Sequence, residues 1–202
     1  SAKKRPSFDP LIVHVETLED VAAYTGPMGE KASVLGERFW PGPLTLVLPK
    51  RPIIPDIVTA GLDTVAIRVP SHPIARALLA EVAFPIAAPS ANQFGYISPT
   101  MASHVEQSLG DYIDLILDGG PCTVGVESTV CHVNEAGVSV LRPGGITLEQ
   151  LAEAIGPVSL GNSNLSAMQS PGALPSHYAP LTPITLVSAS EGLPNPRDGE
   201  RL

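Results

Sequence analysis

Residues 64 to 69 alternate so regularly that they fit a β-strand, with Val65, Ile67 and Val69 on one face and Thr64, Ala66 and Arg68 on the other. An arginine inside an otherwise apolar strand is costly unless a negative group meets it, so Arg68 requires a carboxylate from the protein or from a ligand. The chain must therefore build a sheet in which one face carries a cation and a hydroxyl pointing the same way.

Further β-rich runs lie at 11–15, 44–48, 86–88, 113–117, 129–133 and 138–141, and helix-like stretches at 18–24, 30–39, 73–81, 101–109 and 147–155 alternate with them. The boundaries have local causes. Thr17 with Asp20 three residues on, Thr100 and Thr147 stand where helix N-caps are expected, and Pro73 opens a first turn where its missing N–H is harmless. Trp40-Pro-Gly-Pro43 breaks a helix, Pro52, Pro55 and Gly61 mark residues 50–63 as a surface loop, and Asn134 to Gly137 reads as a hairpin turn. The alternation predicts an α/β fold, a twisted, open, mixed sheet with flanking helices. Beyond Gly156 the periodicity stops and Gly, Ser, Asn and Pro dominate, as in an extended linker. The expected organisation is a domain over 1–157, a linker over 158–183 and the start of a further domain over 184–202.

The stretch from Pro85 to Thr100 begins as a small apolar strand and turns into hydroxyls, an amide and a glycine. Pro89 removes a backbone donor, so Ser90 and Asn92 sit just past the carboxyl end of that strand, where open α/β sheets hold ligands. Short polar side chains and free N–H groups there suit phosphate or carboxylate oxygens, although Ser-Ala-Asn also makes an ordinary turn. Other groups suited to anions are scattered. Lys3 and Arg5 fall on one side of an extended segment, Arg142 precedes Pro-Gly-Gly, and Thr64, Ser98, Ser128 and Thr129 offer hydroxyls. His14 lies inside a strand, where it is either a core histidine or a donor to a carboxylate. Asp118 reads as a turn residue, and with no carboxylate cluster in the sequence a Mg²⁺ ion would have to arrive with phosphates.

Several function classes lose ground. The chain has no Gly-x-Gly-x-x-Gly, no phosphate loop ending in Gly-Lys-Ser/Thr, no Gly-x-Ser-x-Gly and no His-Glu-x-x-His. A net charge of −8 weighs against a long nucleic-acid footprint, and 4% aromatic residues against a base-stacking platform. Cys122 and Cys131 are nine apart with no zinc spacing, which predicts reduced thiols in a cytosolic protein, and no apolar run has the length of a membrane span. The residues alone thus point to a pocket for a small anionic ligand.

Taken in order, Lys3-Lys-Arg5-Pro, Pro10-Leu-Ile-Val-His14, Trp40-Pro-Gly-Pro-Leu-Thr45, Thr64-Val-Ala-Ile-Arg68-Val-Pro, Ala88-Pro-Ser-Ala-Asn92, Asp118-Gly-Gly, Glu127-Ser-Thr-Val130 and Arg142-Pro-Gly144 resemble the Sua5/YrdC family. Ser170-Pro-Gly and His177-Tyr-Ala-Pro180 resemble the linker of its longer, two-domain members. The resemblance implies the YrdC-like fold and synthesis of L-threonylcarbamoyl-AMP from L-threonine, bicarbonate and ATP with Mg²⁺. Pyrophosphate is released, and the product passes to the cytoplasmic machinery that makes t6A at position 37 of tRNA. It further implies that Lys3, Arg5, Ser90 and Asn92 serve catalysis. Arg5, Asp9, Thr64, Ser90, Ser98, Arg142 and the linker's Tyr178 would hold the nucleotide, and His14, Arg68 and the backbone of Ala88 the threonine. Two departures stand out. Position 9 is Asp where the family has Asn, and the family's Pro-Thr-Glu-Thr-x-Tyr-Gly-Leu segment is absent, which implies an N-terminally incomplete catalytic domain. The alternatives are a double-stranded RNA or tRNA-binding module and an inactive fragment. The enzyme reading requires Arg5, Arg68 and Arg142 to converge on one cavity.

Overall fold

The computed structural model describes residues 3, 5, 6 and 8–161. Its centre is a seven-stranded mixed sheet. The strands are β1 (Ile12–His14), β2 (Leu44–Pro49), β3 (Thr64–Arg68), β4 (Ile86–Ala88), β5 (Thr129–Asn134), β6 (Gly137–Arg142) and β7 (Ser159–Leu160), in the order β4-β1-β3-β2-β5-β6-β7. β1 runs parallel to β3 and antiparallel to β4, β2 antiparallel to β3 and parallel to β5, and β5 antiparallel to β6. The expected mixed sheet is present.

Alternation sorts the side chains. Val13 and Val15, Leu44, Leu46 and Leu48, Val65, Ile67 and Val69, Cys131, Val138 and Val140 all join one core. Helices α2 (Glu30–Phe39) and α6 (Leu148–Ile155) supply Ala32, Leu35 and Leu151 to the same core, residues spaced to fall on single helical stripes. Full burial of a leucine of this kind stabilises by roughly 1.5–3 kcal/mol, so this face holds the fold together. α6 starts with a capping box, Thr147 Oγ1 accepting from the Gln150 N–H and Gln150 Oε1 from the Thr147 N–H, as the sequence predicts for Thr147. The opposite face carries a smaller cluster of Val47, Ala66, Val130 and Leu141, with Ile12 against it.

Other expectations shift. Residues 113–117 form no strand: after α5 (Ala102–Leu109) and a single 3-10 turn at Gly110–Tyr112 the chain runs without a ladder, and Leu115 is 75% exposed. The segment has strand-like composition but no neighbouring strand among the described residues, and alternation cannot make a strand without a partner. The 50–63 loop contains a one-turn helix, α3 (Asp56–Thr59), and the helix expected at 18–24 is confined to α1 (Val21–Tyr24), preceded by a turn in which Thr17 and Asp20 bond reciprocally. Met101, not Thr100, is the N-cap of α5, because His104 Nδ1 reaches back to accept from the Thr100 N–H. The remaining long helix, α4 (Pro73–Val82), opens on Pro73 as expected.

Candidate active site

The face opposite the main core carries a row of polar residues. His14 pairs in register with Arg68, Thr45 lies opposite Arg68 one step on from Leu46↔Ile67, Thr45 pairs with Val130, and Val130 with Arg142. His14, Arg68, Thr45 and Arg142 therefore share one level across five strands.

Arg142 reaches this face only through an irregularity. Val138 and Val140 point into the main core, and simple alternation would send residue 142 after them. The ladder slips between Val130 and Cys131, so that Cys131 pairs with Val140 but Val130 with Arg142. The extra residue, Leu141, turns both itself and Arg142 to the polar side, as bulges do when they re-aim a side chain. Arg142 then donates through Nε and Nη2 to the Ser128 carbonyl at 3.1 and 2.9 Å and through Nη2 to Ser128 Oγ at 3.0 Å.

Arg68 is half-buried and donates through Nε to the Gly42 carbonyl at 3.0 Å. The Gly42 N–H in turn donates to the Val69 carbonyl at 2.9 Å, and a Cβ on Gly42 would lie 2.2 Å from the Phe39 carbonyl oxygen, so only glycine fits this clasp. Among the described residues no carboxylate pairs with Arg68. Burial, and secondarily the charge of Arg142 from a strand about 14 Å away, lower the Arg68 pKa. Burial, then Arg68, push His14 down to about 4, so its ring is neutral at pH 7. His14 Nδ1 lies 3.2 Å from the Ile86 carbonyl, which can only accept, so Nδ1 carries the proton and Nε2 is left as an acceptor. Of the two roles open to it in the sequence, His14 takes that of a hydrogen-bonded histidine of the sheet.

The other candidates surround the amino end of β1. Because β4 is antiparallel to β1, the corner that follows it lies at the opposite end of the sheet from the carboxyl ends of β1 and β3, where His14 and Arg68 stand. Ser90 and Asn92 follow the carboxyl end of their own strand, as expected, and the antiparallel pairing puts that end beside the start of β1. Lys3 Nζ donates to the Ser90 carbonyl at 2.5 Å and to that of Asn92, and the Lys3 carbonyl accepts from the Phe94 N–H at 2.9 Å, which straps the N-terminal segment to the corner. Burial, then Arg5, lower the Lys3 pKa. Arg5 Nη2 lies 2.9 Å from Asp9 Oδ2 and donates to the Pro10 carbonyl at 2.6 Å. Burial raises the Asp9 carboxyl while Arg5 and Arg142 pull it back down, so the charge of Arg142 reaches this end too. The charges of Arg5 and Arg142 thus both act on Asp9, and that of Arg142 also on Arg68. Thr64 is on the same face at the amino end of β3, four residues before Arg68, and Ala88 pairs with Ile12.

Two expected ligand groups are engaged by the protein itself. Asn92 is buried and its Nδ2 donates to the Gln93 and Tyr96 carbonyls at 2.8 and 2.7 Å, which makes it a brace for the loop. The Ser98 hydroxyl donates to Glu127 Oε1. Tyr178 lies outside the described residues. A cavity of about 200 Å³ near the end of β1 has Glu16 and Asp20 on its wall and so does not suit an anion. Cys131 is buried, which pushes its thiol up to about 12, and no group of three acidic, histidine or cysteine side chains among the described residues could hold a metal. No described helix is long and apolar enough to cross a membrane.

With this geometry in view, comparison with known proteins is decisive for the family. The Sua5/YciO/YrdC family model, described as "Telomere recombination", matches residues 1–144, and the model of the threonylcarbamoyl-AMP synthase C-terminal domain matches 146–198. The chain belongs to the Sua5/YrdC family. It is 50% identical over 194 residues to the threonylcarbamoyl-AMP synthase of Bacillus subtilis, with 94% of this chain and 56% of that protein covered. A Pyrococcus abyssi protein of the same name is 43% identical, with 99% and 58% covered. The crystal structure of P. abyssi Sua5 complexed with L-threonine superposes with a TM-score of 0.84 at 44% identity, covering 89% of this chain and 54% of that one. Escherichia coli YciO, at 22% identity and a TM-score of 0.61 over 71% of this chain and 69% of that one, shares the fold. The chain spans about half the length of the first two curated relatives.

Three features of this family member escape a reading of its residues in isolation: the bulge that delivers Arg142, the carboxylate of Glu127 on Ser98, and Thr45, whose hydroxyl lies 2.8 Å from Ser128 Oγ. For Thr45 a signal existed, a hydroxyl amid the apolar run Leu44 to Leu48.

Proposed function

We propose that this chain is the catalytic part of a cytoplasmic L-threonylcarbamoyl-AMP synthase. It would combine L-threonine, bicarbonate and ATP, release pyrophosphate and supply the machinery that forms t6A on tRNA. The observation that carries this reading is Arg68, a half-buried guanidinium with one N–H on a backbone carbonyl and no protein carboxylate among the described residues. Its remaining fork suits a carboxylate in bidentate fashion, and neutral His14 beside it offers Nε2 to an amino group, together the two ends of an amino acid. The relatives' names and the threonine complex of P. abyssi Sua5 support the same substrate.

The nucleotide would extend from Arg142 toward the amino end of β1, where Lys3 and Arg5 stand. The threonine amine adds to the bicarbonate carbon and water leaves, giving N-carboxythreonine; its carbamate oxygen then forms a bond to the α-phosphorus, the bond to the bridging oxygen breaks, and that electron pair leaves on pyrophosphate. Lys3, Arg5 and Arg142 would stabilise that growing charge, and no covalent protein nucleophile is needed. The donor set fits a Mg²⁺ ion carried by the triphosphate better than one held in a protein cage, and Glu127 is the carboxylate that would meet it beside Ser98. Asp9 in place of Asn is accommodated because Arg5 pairs with it.

Pyrophosphate release with ATP, bicarbonate and L-threonine, against L-serine and no-amino-acid controls, tests the proposal. Threonine-dependent release is expected. Its absence from a folded chain would mean an inactive fragment, and salt-dependent tRNA binding without ATP would favour the RNA-binding alternative. Arg68→Ala should weaken threonine roughly tenfold to a hundredfold, as loss of a charge-assisted pair does, with ATP affected less. Equal losses would assign Arg68 to folding.

A further inference from the structure

The hydroxyl of Thr45 has a single direction open to it. Thr45 is completely buried, and among the described residues the one polar atom its side chain meets is Ser128 Oγ at 2.8 Å. Ser128 Oγ also accepts from Arg142 Nη2 at 3.0 Å. Two proton arrangements are possible. If Ser128 donated to Thr45, the Thr45 proton would be sealed away from water with no acceptor, a burial that proteins avoid because the full desolvation penalty is left unreturned. If Thr45 donates, both lone pairs of Ser128 Oγ are filled, by Thr45 and by Arg142, and the serine's own proton is left without a protein acceptor among the described residues.

We propose that Thr45 is a positioning residue: it donates to Ser128 Oγ and thereby presents the Ser128 proton, beside the Arg142 guanidinium, to an oxyanion of the substrate. The site then offers that oxygen a neutral O–H and a cationic N–H side by side. A freely rotating serine could instead turn its proton away and present a lone pair to the anion. The register supports this, since Thr45 stands in the same row as Arg68 and is paired across the ladder with Val130, the partner of Arg142. The inference rests on the reading of this face as a site for anionic substrates. The oxyanion is a carboxylate or a phosphate oxygen, and the experiment tells which.

The test has two arms. In a neutron structure of the deuterated protein, the Thr45 deuteron should lie on the line from Oγ1 to Ser128 Oγ. A deuteron on Ser128 pointing at Thr45 overturns the proposal while leaving the proposed activity untouched. In the kinetic arm, Thr45→Val keeps the shape and removes the donor. It should raise the KM of one substrate by about fivefold to tenfold, the equivalent of one hydrogen bond, and change the other less than about twofold. Threonine as the affected substrate marks a carboxylate, ATP a phosphate. Thr45→Ser should restore the original value, and in a Ser128→Ala background Thr45→Val should cost nothing more. Equal weakening of both substrates, failure of the serine variant to rescue, or additive losses would overturn the proposal. If the unsubstituted chain releases no pyrophosphate, the proposed activity fails and the neutron map alone decides the role of Thr45.

Discussion

The two halves of the sheet are built to different standards. On the β2, β3, β5 and β6 side, Leu44, Leu46, Val47, Ile67 and Val130 are 0% exposed. Across the stretch that runs from the end of α4 to Val126, Phe84, Ile97, Leu115, Leu117 and Val126 are all more than half exposed, at 62%, 59%, 75%, 55% and 60%. Apolar content is similar in both, so composition does not separate them. What separates them is whether a ladder partner and a covering helix are present, and only the first side has both. The site straddles the boundary. Arg68, Thr45, Ser128 and Arg142 rise from the close-packed side, while Ser90, Asn92 and Ser98 belong to the open one. The charges thereby rise from the closely packed half, and the polar loop belongs to the open one.

Substitutions can break that comparison. Leu46→Ala should cost about 2–5 kcal/mol in denaturant unfolding, because a fully enclosed leucine leaves a cavity. A smaller loss would mean that the packed half relaxes easily. Gly144→Ala comes next. Its Cβ would lie 2.4 Å from the Glu127 carbonyl oxygen and 2.5 Å from the Thr129 nitrogen, backbone atoms that must move. About 1–3 kcal/mol of stability should go, and since Ser128 sits between those atoms, threonine-dependent pyrophosphate release should fall more than the unfolding midpoint implies.

His14 supplies a pH signature. Its native pKa of about 4 is below the ordinary value of 6.5, so the unfolded chain binds the proton first. The stability it confers is therefore complete above about pH 6.5 and is lost progressively as the pH falls toward about 4. Between pH 6.5 and 5 the loss should be at most about 2 kcal/mol, and His14→Gln should flatten that part of the profile. Titrating both proteins by chemical denaturation at each pH isolates the His14 contribution, because Asp9 is common to both. Smallest of all, Leu115→Ser should change stability by no more than about 0.5 kcal/mol. A large effect there would show that the open half is packed in solution.

Much of the fold is legible in the sequence because it follows from local rules. β3 and β4 fall where period-two patterning and Pro89 put them, α2 ends where Trp40-Pro-Gly-Pro43 stops it, and the Thr147 cap begins α6. The reading fails where the outcome depends on a distant neighbour. Residues 113–117 carry the pattern of a strand, yet a strand is a relation between two segments, and the second is missing among the described residues. The same holds in the site. That Arg68 needs a negative partner follows from its own strand, whereas which His14 nitrogen carries the proton depends on Ile86, a residue 72 positions away. Ser98 likewise cannot be seen to be occupied by Glu127 until the fold brings them together.

The slip in the ladder beside Val130 decides which side of the sheet the end of β6 serves. Were Leu141 and Arg142 to continue the regular alternation, with Leu141 opposite Val130, the guanidinium would follow Val138 and Val140 into the hydrocarbon between the sheet and its helices. Because two residues share the place opposite Val130, the strand keeps a leucine for packing and still delivers a cation to the polar side. At that point of the chain, one residue too many lets a single strand serve two purposes.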